Sequence, residues 1–399
     1  MASDPNSKIH LVLFFSRNVS LCTWQEYGMF EREVALYNWY TDHGVRVSFI
    51  TYGGATDCIL QTKIPGVEIL FNRRRLPSPL YYLLIPILHA KVLRRATIFK
   101  TNQISGSRVA VLAAKFWRKP IIVRCGYLLS EFAKLGNSGS PRILRKAQRY
   151  EEMVFSSASS IVVASRSMSD YISYNYSVPT SRINVVPNHV LTDVFYPNIT
   201  KPSRRRLCFV GRFTEQKNVP ALVEACSGLD VELVLIGKGA LQNQISAVAK
   251  SYDVNVTFLG VLSHLDLPYQ LCKSDLYVHA SLHEGSPPKS LLEAMSCGLP
   301  VICSNVPGID GLIQHQETGW LCGTAPKEIR EAIRTVLSDK QLREHMGRNA
   351  RSVIVEHYSL NVTAPRETDV IKECLRFDST ATLNNQTIPN QAISKTVSK

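Results

Sequence analysis

A chain of 399 residues with 45% hydrophobic and 20% charged residues holds enough apolar material for two ordinary domains, and its composition excludes a fibrous or wholly disordered protein. The net charge of +14 is lopsided: residues 1–200 hold 24 Lys and Arg against 12 Asp and Glu, while residues 201–399 stand nearly balanced at 22 against 20. The first half is thus expected to meet something anionic, yet aromatic residues interleave too sparsely with its basic clusters for a nucleic-acid platform.

In chain order, the polar stretch Met1–His10 lacks the apolar core of a signal peptide. The ten cysteines form no CxxC pair and mostly sit in apolar runs, as expected of reduced thiols in a cytoplasmic protein. Short β-branched runs at Ile9–Phe15, Val45–Thr51, Val67–Phe71, Thr97–Lys100, Ile121–Arg124, Ile161–Ala164 and Ile183–Val186 are predicted strands. Helical periodicity falls between them at Met29–His43 and Ser107–Phe116. The apolar segment Leu76–Leu88, with three prolines, is too short to span a bilayer. Arg73, Arg74 and Arg75 precede it, and Lys91, Arg94 and Arg95 follow. Such a segment suits an anionic membrane surface, and it equally suits a buried helix with solvated ends.

Val186–Pro202, proline-bearing and aperiodic, reads as a linker. The alternation then restarts, with strands at Leu207–Val210, Val231–Ile236, Val256–Leu259, Leu276–His279 and Val301–Cys303 and helices near Val219–Cys226 and Leu241–Ser251. Ser379–Lys399 is polar and without period, an expected disordered tail. The expected class is α/β: two facing, doubly wound, Rossmann-like parallel-sheet domains at 1–187 and 203–378, joined by 188–202. Ligands of such sheets bind at the carboxyl ends of the strands, here in an interdomain cleft.

The densest chemistry lies in FVGRFTEQ, Phe209–Gln216, continued by Lys217. A strand ends at Val210, Gly211 opens a turn, and Arg212 and Lys217 stand five apart around it. That spacing can aim a guanidinium fork and a point charge at one diphosphate; two solvated loop cations would read the same way. The second block is HEGSPPKSLLEAMSCGLP, His283–Pro300, with Glu284 after a strand and Glu293 on the following helix. Carboxylates there accept from ribose or sugar hydroxyls, and amides at a helix start hold phosphate oxygens. A surface glutamate and a dipole-complementing one are the plainer alternative. No Asp-x-Asp pair or His/Cys cluster offers a metal site.

Taken together, these blocks resemble the retaining glycosyltransferases of family 4, whose fold is the two-Rossmann GT-B arrangement. VGRFTEQKN is similar to that family's donor loop, VLIGKG (Val234–Gly239) to its next Gly-x-Gly turn, and Leu276–Gly298 to its paired-glutamate motif. Val306–Leu321, Val185–Pro197, Tyr27–Leu36 and Gly44–Thr51 match further segments, so the resemblance spans roughly residues 8–360. It implies a UDP- or GDP-linked sugar donor, retention of configuration, and neither metal nor cofactor. Arg212 and Lys217 would neutralise the diphosphate and stabilise the leaving nucleotide. Glu293 would take the ribose, Glu284 the donor sugar, and the amides of Lys289 and Ser290 a phosphate, with Gly28 beside the phosphates.

The chain departs from the family pattern in two places. Glu284 and Glu293 have eight residues between them, one more than the family spacing, and Pro287 and Pro288 lack N–H groups. The strand Ile121–Arg124 carries no histidine where many relatives face the donor sugar; Arg124 can substitute as a donor, or can pair with a carboxylate and organise the cleft. The expected activity is hexosyl transfer to a glycan or lipid-linked acceptor on the basic first domain, possible partners including an anionic membrane through Arg73–Arg95. An inactive sugar-nucleotide-binding scaffold and a UDP-sugar epimerase are the alternatives.

Overall fold

Strands buried on both faces need apolar residues at every position, and HLVLF, His10–Phe14, is buried throughout. Its side chains alternate: Val12 and Phe14 enter one core, Leu11 and Leu13 the other. The computed structural model describes residues 9–135, 140–198, 205–309 and 311–386. Its first sheet comprises β1 (His10–Phe14), β2 (Arg46–Ile50), β3 (Val67–Leu70), β4 (Ile98–Thr101), β5 (Ile121–Cys125), β6 (Ser160–Val163) and β7 (Ile183–Val185). They lie in the order β3-β2-β1-β4-β5-β6-β7, every pairing parallel.

The second sheet comprises β8 (Arg206–Val210), β9 (Glu232–Ile236), β10 (Val256–Gly260), β11 (Leu276–His279), β12 (Val301–Ser304) and β13 (Trp320–Cys322). Its order is β10-β9-β8-β11-β12-β13, again parallel throughout. Each of the twelve predicted strands is present. The short edge strand β13 was not anticipated, because three half-buried residues carry too little apolar signal.

The last helix, Leu360–Gln386, leaves the second domain and returns to the first. Ala364, Val370, Ile371 and Cys374 pack into the core that holds Leu11 and Leu13. Residues 360–375, within the stretch assigned from the sequence to the second domain, therefore pack on the first; periodicity marks a helix but not the sheet it covers. The helix also runs eight residues into the stretch expected to be disordered, and 387–399 lie outside the described residues. Both chain crossings between the domains run side by side, with Val190 N–H donating to Tyr358 O at 2.8 Å and Leu360 N–H to Val190 O at 3.1 Å.

The apolar segment after the arginine cluster forms the helix Ser78–Leu88, which buries only Tyr81 and Ile85. No described helix is long and apolar enough to cross a membrane.

Candidate active site

Strand order reverses between β1 and β4 in one sheet and between β8 and β11 in the other. Loops that leave neighbouring strands in opposite directions open a crevice at the carboxyl ends. The two crevices share a cleft of about 680 Å³, walled by both domains.

On the second-domain wall, the turn after β8 packs against the turn after β9. Gly237, at φ +133°, lies so close that a Cβ would overlap the Gly211 carbonyl, so the two turns nest only without side chains. That nesting brings Arg212 to the cleft, where its side chain is exposed and makes no ion pair or hydrogen bond among the described residues. Lys217 ends the short turn Glu215–Lys217 and forms an ion pair with Glu284. Glu284 is further held by His279 Nε2 at 2.8 Å and by Gln216 Nε2 at 3.3 Å. Burial raises its pKa, but the His279 hydrogen bond and the Lys217 charge outweigh burial and bring it down to about 2. Burial lowers the pKa of His279, against the hydrogen bond to Glu284, so the ring is neutral at pH 7 and acts as a donor.

The segment Ser286–Pro288 leans on the first domain: Ser286 Oγ donates to Gly126 O at 3.4 Å, and Asn188 Nδ2 donates to Pro287 O at 3.2 Å. With the wide glutamate spacing, Glu284 still stands beside Lys217. The helix Lys289–Ser296 begins at Pro288 with no side-chain cap, which leaves the first-turn amides of Lys289 and Ser290 open. Ser290 Oγ accepts from Tyr277 OH at 2.9 Å. Glu293 is buried on this helix; its Oε1 receives Arg32 Nη1 and His264 Nε2, each at 3.1 Å. Its Oε2 is buried with no hydrogen-bond partner among the described residues, an acceptor placed for a hydroxyl.

Arg32 and the neighbouring Glu33 come from the first domain, on the helix Phe30–Asp42. Lys289 Nζ reaches Glu33 Oε1 at 2.6 Å, and Arg32 Nε reaches the same oxygen at 3.3 Å. Burial pushes the Glu33 carboxyl up, yet Lys289 and Arg32 together hold it well below the usual range. A chain of charges Lys289–Glu33–Arg32–Glu293 therefore spans the cleft. Gly28 joins the domains too: at φ +63° it packs against the Leu262 carbonyl with no room for a side chain.

Arg124 does not line this cleft. Its guanidinium donates to Asn188 Oδ1 at 3.1 Å and pairs with Glu367 Oε2 at 3.4 Å, and the same carboxylate pairs with buried Lys100. Of the two readings of Arg124, the structure has the pairing with a carboxylate and not the sugar contact: the returning helix supplies Glu367, which ties Arg124 down. Among the described residues, no group of three or more His, Cys, Asp or Glu is placed to hold a metal.

The other candidates, Gly28, Gly211, Arg212, Lys217, Glu284, Lys289, Ser290 and Glu293, all line the cleft. Sequence reasoning missed Arg32, Glu33, His264 and His279. For His279 a signal existed, since it closes β11 five residues before Glu284; for Arg32 and His264 only the folded cleft brings the partners together.

Two family models match the chain: Glycosyltransferase Family 4 over residues 34–194 and Glycosyl transferases group 1 over residues 197–353. An uncharacterized glycosyltransferase of Methanocaldococcus jannaschii is 26% identical over 273 residues, 63% of this chain and 66% of that protein. The N-acetyl-alpha-D-glucosaminyl L-malate synthase of Bacillus anthracis is 32% identical over 184 residues, 44% of this chain and 47% of that one. The matches span less than two thirds of the length of these curated relatives. In fold, sucrose-phosphate synthase from Thermosynechococcus elongatus superposes with a TM-score of 0.76 at 17% identity, covering 92% of this chain and 100% of that one. HepE of Anabaena in complex with UDP-glucose gives 0.72 at 18% identity, over 91% and 99%. The two facing parallel-sheet domains and the cleft between them are the GT-B fold. The two halves of the chain are thus similar, in turn, to two glycosyltransferase family models.

Proposed function

We propose that the enzyme moves a sugar from a nucleoside diphosphate donor, UDP- or GDP-linked, to a glycan or lipid-linked acceptor with retention and without a metal. The observation that carries this reading is one cleft wall holding Arg212, Lys217 and the open start of the helix Lys289–Ser296. Two cations and two amides suit a diphosphate, and they stabilise it most as its negative charge grows on departure. Glu293 Oε2 takes a ribose hydroxyl. Glu284 faces the donor sugar, and Lys217 turns from it toward phosphate once the donor is seated.

Titration calorimetry of UDP, GDP and ADP tests the donor site. Micromolar binding of one nucleotide, weakened about tenfold or more by Lys217→Ala, is expected. If none of the three binds, the donor assignment falls and a scaffold role takes its place.

A peripheral membrane position is part of the same proposal. The helix Ser78–Leu88 leaves Leu83 66% and Ile87 65% exposed. The neighbouring helix Ser107–Trp117 adds exposed Leu112 and Phe116, and Trp117 Nε1 joins the two by donating to Pro86 O at 3.1 Å. Exposed Arg73, Arg74, Arg75, Lys91, Arg94 and Arg95 flank this apolar face. Apolar side chains ringed by cations match an anionic lipid surface. Salt-sensitive binding to phosphatidylglycerol vesicles is the expected behaviour, and no binding at low salt would remove the idea.

A further inference from the structure

A second cavity, of about 310 Å³, opens beside the donor cleft and shares Tyr127, Phe132, Gln216, Glu284 and Gly285 with it. It runs under the helices Leu129–Leu135 and Arg166–Tyr176 of the first domain, where Leu128, Met168 and Tyr171 complete an apolar and aromatic wall. We propose that this cavity seats the acceptor, and that the acceptor group it takes is an uncharged sugar ring rather than a phosphorylated or acidic one. The inference rests on the donor reading above, since a ring seated here lies against Glu284, the residue assigned to the donor sugar.

Charge decides the class. Among the described residues, the only charged side chains in the wall are Glu131 and Glu284, and no lysine or arginine lines it. Nearby Lys134 is already committed, its Nζ donating to Glu131 Oε1 at 2.9 Å and to Tyr171 OH at 3.1 Å. A phosphate or carboxylate brought in here would meet the Glu131 and Glu284 carboxylates on the wall, while Arg212 and Lys217 stand in the adjoining donor cleft. Of the basic surplus that suggested an anionic acceptor, Arg73, Arg74, Arg75, Lys91, Arg94 and Arg95 lie around the helix Ser78–Leu88, and Arg142, Arg145, Lys146 and Arg149 are exposed on the helix Pro141–Ser157; none of these lines the cavity.

The wall also has what a sugar ring requires. Tyr127 and Phe132 meet edge to face, centroids 5.5 Å apart at 82°, and Phe132 is 42% exposed. The C–H face of a pyranose carries slight positive charge and packs on the negative face of such a ring. Glu131 and His283 supply acceptors for hydroxyls, because burial lowers the pKa of His283 and keeps it neutral. At 310 Å³ the cavity stands at the small end of ligand pockets, room for one sugar unit and not for an extended chain.

The test is saturation-transfer NMR on full-length protein saturated with whichever of UDP, GDP or ADP binds by calorimetry. Methyl glucoside, methyl galactoside and methyl N-acetylglucosaminide are offered beside glucose 6-phosphate and glucuronate. Expected are transfer to at least one neutral glycoside, binding about tenfold weaker for Phe132→Ala and for Tyr171→Ala, and no transfer to the two anions. Anions binding as well as neutral sugars, neutral binding indifferent to both aromatic changes, or no sugar binding while nucleotide does, would each overturn the acceptor assignment alone. Absence of nucleotide binding in the wild type removes the donor reading, and this inference with it.

Discussion

Glu284 and Glu367 carry the same chemistry in two regions of the molecule. Each is a carboxylate facing a lysine, Lys217 for one and Lys100 for the other, and each has its pKa brought down to about 2 against the pull of burial. Glu284 and Lys217 line the cleft, while Glu367 on the returning helix and Lys100 beneath it are sealed off at 3% and 1% exposure. A strongly shifted carboxyl therefore does not by itself mark a functional site. Access to a ligand separates the working pair from the structural one, and the two can be broken separately.

Glu367→Ala should do the most damage. It leaves Lys100 buried without its counter-charge and frees Arg124, for an expected loss of about 3–5 kcal/mol in urea unfolding. Lys217→Ala should cost less stability, because His279 and Gln216 still hold Glu284, yet on the order of 100- to 1000-fold in turnover, as removal of a transition-state charge partner does. If Lys217→Ala lost stability as Glu367→Ala does, the contrast between the pairs would collapse.

The pH dependence sharpens it further. Because Glu284 titrates near 2 when folded and near 4.5 ordinarily, the unfolded chain binds more protons between those values. Its contribution is complete above 4.5 and disappears as pH falls toward 2. Between pH 5 and pH 3, Glu284→Gln should therefore lose about 2 kcal/mol less than the wild type, measured by urea titration at both values. Arg32→Met should have a smaller effect, about tenfold on donor KM, because Glu293 keeps His264 but loses its cross-cleft partner. The smallest change is expected from Leu83→Ser on the exposed helix: vesicle binding falls about threefold while turnover of a soluble acceptor stays the same.

Much of this was legible in the sequence, for identifiable reasons. Parallel strands announce themselves as continuous apolar runs, and the donor loop and glutamate block carry rare residue types at fixed spacing. What escaped was whatever depends on two distant segments meeting. Arg32 stands 261 positions from Glu293, and Arg124 stands 243 from Glu367, so neither partnership leaves a local trace. The helix carrying Glu367 shows why the two readings of Arg124 stayed open in the sequence: its sequence offers a carboxylate, but only docking on the first sheet tells which cation it meets.

The paired crossings at Val190 and Ser359 have a mechanical consequence. A single strand joining two bodies acts as a swivel and permits twist in any direction. Two strands clamped side by side act as a door hinge, soft about one axis and stiff about the others. Any opening of the cleft would then be nearly a one-dimensional swing, and closing would bring Arg32 and Glu33 back to Glu293 and Lys289 in the same alignment.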